Sequence, residues 1–558
     1  MSTTIPSARD INLAAILGES PAEPAWLRWV DRVATRAGDA INPILVKETR
    51  QALKSRQFVV TFSLLLFAAF AWTIVGSLLM MPQIYFQPSA PTMLTGYYLV
   101  LAVPMLLVVP LAAYRSLEGE IDDGTLELLS VTSLTPSQIV LGKLGSAALQ
   151  MMLYFVALFP CVAYAYSLRG VDLPTLGVLM SMLIIFGLTL TVVAIFFAPM
   201  ATVRSSQVST LLMVMAFLMA GEFATGTIAF ALIQGGNPLT ASQTGFVLFA
   251  VLMFTTTFAA VLLMATAAQL TPESENRSTG IRISLLVHQL AVVVIASMSL
   301  SYGFAIAGPL VAALTAHLLV TWAAAGSMMS AESPTMTPRI RRELPGTLMG
   351  RLLFVWFTPG PATGMIFALV NLGVAIFVMG QLHDRVTNLP DAYWLGLWWS
   401  KLQALLLLTW PYLCVAFIGV RAIISVLRSR NTVRAGVGMA ALAVVLLLMA
   451  LVPYSIGLHL NDYRPYAYSD WQLTNWIWTM NLAITDQLPR RSMILVIGIG
   501  AFAFIANLLF LGRVVLPQRL VTPKRVIEER QARRRQSSRD AITMPADPLG
   551  LGTEPESI

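Results

Sequence analysis

Residues 58–81, FVVTFSLLLFAAFAWTIVGSLLMM, run for 24 positions without a charged side chain. As an α-helix the segment is roughly 36 Å long, against a hydrocarbon core of about 30 Å. It is long enough to cross a bilayer with some tilt. That constrains the rest of the fold, because backbone in lipid must satisfy its own hydrogen bonds. Comparable runs recur near 96–114, 144–166, 174–199, 208–234, 245–269, 283–302, 304–327, 361–380, 395–420, 435–457 and 492–512. The pattern predicts an all-α, polytopic membrane protein of about twelve transmembrane helices. Charged residues make up only 11% of the 558, and a mean hydropathy of +0.73 excludes a soluble globular chain. The least defined pair is 283–327, where SYGFAIAGP must turn within few residues; a re-entrant hairpin there leaves the same sidedness.

Short loops rich in Lys and Arg stay cytoplasmic. With the N-terminus inside, the inner segments hold 30 of the 36 cations and the outer loops hold 5, Arg169, Arg385, Arg464, Arg490 and Arg491. Both termini are therefore expected in the cytoplasm. The remaining cation, Lys401, follows YWLGLWWS and reads as an interfacial lysine snorkelling past an aromatic belt. Pro411 lies mid-span, where a kink is expected. The first 40 residues lack a basic start, a long apolar segment and a small-residue cleavage site, and read as carrying no removable signal peptide. Cys161 and Cys414 sit inside apolar runs and predict neither a disulfide nor a metal site.

Against this background the stretch YRSLEGEIDDGTLELLSVTSLTPSQIVLGKL, residues 114–144, concentrates charge between the second and third spans. Gly124 after EIDD predicts a helix stop, since glycine takes a left-handed conformation without penalty. TPSQ restarts a helix, with Thr135 as N-cap, Pro136 at the first position and Gln138 completing a capping box. The two spans then extend past the membrane as legs, with TLELLS as a foot presenting Leu126, Leu128 and Leu129 beside Glu118, Glu120, Asp122, Asp123 and Glu127. Two readings fit: a docking surface for a partner, or leucines folded back on nearby helix ends while the acids solvate the loop.

INPILVKETRQALKSRQF before the first span, with EGEIDDGTLELLSVTSLTPSQIVLGKL after the second, resembles the membrane (permease) subunit of type 2 ATP-binding-cassette (ABC) exporters. The similarity covers roughly residues 40–270, and the acidic loop is its specific part. It implies that the foot inserts in a groove of a separate ABC ATPase subunit, whose ATP-driven dimerisation moves the legs. Glu118, Gly124, Thr125, Leu126, Glu127, Leu128 and Leu129 would then be coupling residues that transmit force and do no chemistry. It also implies a bacterial inner-membrane location, export as the direction, and a pathway completed by one chain or by a second permease copy.

NPILVKETRQALKSRQ has Asn42 as N-cap and Pro43 at the first helical position. Ile44, Leu45, Ala52 and Leu53 share one side; Lys47, Glu48, Arg50, Lys54 and Arg56 occupy much of the other. It predicts a helix lying in the interface, its cations near anionic lipid headgroups. Glu222, within the fifth apolar run, either lines a substrate or ion path or reaches a wet vestibule where Gly221 and Gly226 break the helix into a short outer hairpin. TPRIRRELPGTLMGRLLF, residues 337–354, suggests another basic elbow, yet RAIISVLRSRNTVRAG carries no second acidic foot. The Tyr and Trp residues of DYRPYAYSDWQLTNWIW are expected at the membrane surface.

The chain divides into a cytoplasmic N-terminal segment (1–41), the connecting helix (42–57), a six-span permease-like domain (58–270) with its coupling loop (115–143), a second helical membrane region (271–512) and a basic cytoplasmic tail (513–558). The tail, PKRVIEERQARRRQSSRD onward, suits anionic lipid; nucleic acid is not expected, because positive-inside topology already accounts for its sign. No G-x-x-x-x-G-K-[ST] occurs, so this chain is not itself an ATPase of that fold, binds no cofactor, and leaves ATP to its partner. His288, His317, His383 and His459 are far apart in sequence and read as isolated packing residues, with no metal site. A membrane enzyme is thus the weaker class. The rivals to a permease are an ion-coupled secondary transporter, which needs titratable residues in its spans, and a non-transporting anchor or sensor.

Overall fold

A computed structural model describes residues 43–125, 134–200, 204–272, 275–302, 307–333, 345, 347, 349–350, 354–387, 393–429, 433, 435–515, 525–526 and 528–533. Among the described residues, twelve helices are long and apolar enough to cross a membrane, one for every apolar run. The chain is an all-helical, multi-pass membrane protein.

A short helix α1 (Pro43–Lys54) leads into the first span, α2 (Arg56–Leu79). The second span joins α3 (Ala90–Ala102) to α4 (Val109–Asp122) through wider π-type turns over Val103–Val108. Pro104 and Pro110 lack the N–H donors that a regular ladder needs there, and Val109 N–H reaches back to Pro104 O instead. Spans three to six are α5 (Pro136–Ser167), α6 (Leu173–Phe197), α7 (Arg204–Gly235) and α8 (Ala241–Leu270). Polar residues between apolar runs start these helices: Ser55 caps α2, Asp172 caps α6, and Thr135 with Gln138 and Thr240 with Gln243 close capping boxes on α5 and α8.

The second six spans are α9 (Thr279–Ser301), α10 (Ala307–Ser330), α11 (Pro361–Thr387), α12 (Tyr393–Arg428), α13 (Gly436–Leu460) and α15 (Arg490–Val515), with the short α14 (Trp476–Ile484) before the last. Among its described residues the stretch 283–327 forms two helices, α9 and α10, each long and apolar enough to span by itself. Pro411 lies within α12 without interrupting it, and a Cβ on Gly500 of α15 would come within 2.2 Å of the Pro411 side chain. Such a close approach is open only to glycine.

Buried apolar residues separate into one large cluster from Leu65 to Ile233 and another from Phe246 to Ala503. α8 bridges them, since Phe246 and Val261 belong to the second cluster while Leu263 and Leu270 pack against the first, and a small third cluster joins Leu408, Tyr412, Ala483 and Val496. In the second half, Arg282 near the start of α9 is fully buried and pairs with Glu332, just past α10, at 2.8 Å. Glu332 also accepts from Ser278 Oγ at 2.8 Å and the Gly360 N–H at 2.7 Å, while Arg428 of α12 donates to the Ala331 and Glu332 carbonyls. One ion pair thus ties together the ends of α9, α10 and α12 and the lead into α11.

The histidines are not isolated. His288 of α9 and His317 of α10 meet at 2.8 Å between their Nε2 atoms, flanked by Phe254 and Phe258 of α8. His383 of α11 bonds Thr315 of α10 at 3.2 Å. Sequence distance concealed this because each ring arrives on a different helix.

In the segment between α13 and α14, Tyr466 and Tyr468 each pack edge to face against Trp478 of α14, and Gln472 turns inward to donate to Pro453 O at 2.9 Å. Residues 508–558 form a separate unit. Among its described residues, Arg525 and Glu529 make an exposed pair one helical turn apart. Most of the elbow at 337–354 and the greater part of the tail lie outside the described residues.

Candidate coupling site

Three helices converge where the acidic loop leaves the bundle. α1 lies across the start of α5 because the sequence LGKLG offers no side chain at two points. A Cβ on Gly142 would fall 2.7 Å from Ile44 Cγ2, and one on Gly145 would fall 2.9 Å from Leu45 Cδ1. Between those glycines Lys143 points inward, its side chain only 1% exposed. Its ammonium reaches Glu48 of α1 at 3.3 Å, Glu120 of α4 at 3.1 Å and Ser116 Oγ of α4 at 2.7 Å. Ser116 in turn donates to Glu48 at 3.1 Å, and Lys47 approaches Glu120 from the exposed side at 3.4 Å.

A buried charge is costly unless paired and hydrogen-bonded. Here the two carboxylates balance Lys143 and Lys47, so α1, α4 and α5 are locked by a neutral cluster. A polar cavity of about 280 Å³ opens beside it, lined among others by Gln51, Arg115, Gln150 and Tyr154.

The placement of Glu48 corrects the amphipathic reading of α1. The residue assigned to the lipid-facing polar side is buried, because its partner sits on α5, while Lys47, Arg50, Lys54 and Arg56 are exposed as expected. The helix begins at Pro43; Asn42 lies outside the described residues.

Three acids of the loop have internal partners. Glu118 accepts from the buried Tyr114 hydroxyl at 3.0 Å, Glu120 joins the Lys143 cluster, and Asp122 accepts from Gln207 of α7 at 2.8 Å. α4 then stops as its sequence predicts: Gly124 has φ +67°, and Thr125 Oγ1 folds back to donate to Glu120 O at 3.1 Å. The loop re-enters α5 through the Thr135–Gln138 capping box. Leu126, Glu127, Leu128 and Leu129 lie outside the described residues.

Glu222 is half-buried on α7, which passes unbroken through Gly221 and Gly226 to Gly235. The expected outer hairpin from 222 is absent, because Gly221 packs against Leu190 of α6 and does not turn the chain. Tyr98 of α3 lines the same small cavity as Thr225, one turn along α7 from Glu222.

Lys143, Ser116 and Tyr114 were missed by sequence reasoning. A usable signal existed for Lys143, a single cation between two glycines at the mouth of an apolar run. No family model, curated protein or solved structure matches this chain.

Proposed function

We propose that this chain is the permease subunit of an ABC exporter in a bacterial inner membrane, with both termini cytoplasmic and a separate nucleotide-binding subunit docking on the loop between the second and third spans. The observation that carries this reading is the Lys143–Glu48–Glu120 cluster. It makes the connecting helix and the two legs of the acidic loop one stiff unit, so a displacement applied at the loop moves three helices together rather than bending one. The motif EGEIDDGTLELL supplies the matching docking chemistry, leucines ringed by acids. Glu127, Leu128 and Leu129 belong to the contact, whereas Glu118 and Glu120 brace it.

The test is affinity capture of the membrane-extracted chain, with the 125–134 segment intact or scrambled, followed by an ATPase assay on whatever copurifies. A nucleotide-hydrolysing subunit recovered with the intact loop and lost with the scrambled one is the expected result. Recovery unaffected by scrambling sinks the proposal. One observation favours the ion-coupled alternative, the contact between His288 and His317 inside the apolar bundle; transport that persists without any ATPase partner and follows the proton gradient would establish it.

A further inference from the structure

We propose that His288 and His317 form a proton-binding site between α9 and α10, a pair that holds one proton between its facing nitrogens and takes one more at His317 Nδ1. The inference stands whether or not the chain is an ABC permease.

The hydrogen-bond pattern assigns the tautomers. Thr257 Oγ1 has a single proton, and it points to the Met253 carbonyl at 2.8 Å. With the Phe254 carbonyl a second acceptor at 3.1 Å, we assign that oxygen as the acceptor toward His288 Nδ1, 2.9 Å away, which places a proton on His288 Nδ1 and leaves its Nε2 bare. On that assignment His317 Nε2 donates across the 2.8 Å contact between the rings, with Thr321 Oγ1 a more distant neighbour of the same nitrogen at 3.5 Å. His317 Nδ1 is left as the open base, with no hydrogen-bond partner among the described residues. A further proton there turns the pair into a singly charged unit and keeps the bond between the rings. Another would place two N–H groups face to face and drive α9 from α10.

The surroundings favour a proton over a metal. The rings lie edge to face at 5.1 Å, walled by Phe254 and Phe258. Among the described residues no group of three or more His, Cys, Asp or Glu is placed to hold a metal ion, and two imidazoles alone make a poor cage. α8 carries no charged residue. The titratable and charged groups on the other helices packed here are Arg282 on α9, committed to Glu332, and His383, Asp384 and Arg385 on α11, of which His383 reaches α10 through Thr315. On α12 they are Lys401, Arg421 and Arg428. None of these has a hydrogen bond or ion pair to either imidazole.

With only four histidines in the chain, the site can be read directly by ¹⁵N-histidine magnetic resonance of the chelator-washed full chain in lipid bilayers, with His383→Gln and His459→Gln for assignment. At pH 8 we expect the Nδ1–H form on His288, the Nε2–H form on His317 and nitrogen–nitrogen coupling across the bond. By pH 5 one imidazolium signal per pair should appear on His317. His317→Gln, whose amide can still donate to His288, should keep the His288 tautomer and lose the imidazolium. Identical tautomers, absent coupling, no imidazolium by pH 5, or a joint shift of both rings on adding Zn²⁺ at pH 8 would each overturn the proposal.

Discussion

The Lys143 ammonium lies 3.3 Å from the Glu48 carboxylate, with both side chains withdrawn from solvent. The charge pattern of the connecting helix is therefore structural at Glu48 and Lys47, while Arg50, Lys54 and Arg56 are exposed. Removing one member of such a pair costs far more than replacing both, because the survivor stays buried without compensation. Lys143→Met should lower unfolding stability by about 3 kcal/mol, and Lys143→Met combined with Glu48→Gln should recover part of that loss. Thermal unfolding of the detergent-purified variants reads both.

The glycine contacts make a second prediction. Gly142→Ala places a methyl group 2.7 Å from Ile44 and 3.2 Å from the Leu45 nitrogen, and should cost about 1–3 kcal/mol by overpacking. Gly177→Ala, with open space around it, should be neutral or slightly stabilising. Trimming the neighbour in Ile44→Ala/Gly142→Ala should reduce the coupling penalty. A strictly additive double variant would mean the contact is not what limits the site.

In the second half, Glu332→Ala strands the Arg282 guanidinium among carbonyl and hydroxyl oxygens with no carboxylate. A loss of about 3–5 kcal/mol is expected, against a smaller one for Glu332→Gln, which retains an acceptor. Equal effects of the two variants in thermal unfolding would contradict the charge argument.

Asp172 caps α6 by accepting from Thr175 Oγ1 at 2.6 Å and from its N–H at 3.1 Å. The hydroxyl contact first, and the backbone bond with it, hold this carboxyl below the usual carboxylate range. Because the folded value lies below the unfolded one, the stabilisation is complete above the unfolded value of about 3.9 and is lost as pH falls through the folded value. The group is largely exposed, so the effect is small. The stability difference between wild type and Asp172→Asn should stay flat from pH 8 to 5 and shrink in acid; a difference that grows in acid reverses the sign of the argument.

For the docking contact itself, Glu127→Arg and Leu128→Asp should leave the chain in the membrane and weaken capture of the ATPase subunit about tenfold or more, equivalent to about 1.4 kcal/mol. Wild-type ATPase stimulation and transport by either variant would remove these residues from the coupling role. Glu222→Gln separates a pathway role from a bystander, since unchanged transport assigns it none.

The twelve spans were legible because each depends on local hydropathy, and the stop at Gly124 and the restart at Thr135 because each depends on local turn and capping chemistry. What escaped was every relation between helices. Glu48 looked like part of a solvated face, since a helical wheel shows which side a residue occupies and not what lies opposite. The two imidazoles looked isolated for the same reason: Nε2 to Nε2 contact is set by the packing of α9 on α10. Gly221 and Gly226 misled in the other direction. Glycine permits a break, but α7 runs on through both, with Gly221 closely packed on Leu190.

The order of Glu48, Glu120 and Lys143 along the chain bears on biogenesis. Synthesis runs from the N-terminus, so both acids have left the ribosome before the lysine emerges. The third span begins with a cation whose acceptors already exist, one on the connecting helix and one at the end of the second span. Lys143 need never settle in an apolar setting unpaired, because both of its carboxylate partners precede it in the chain.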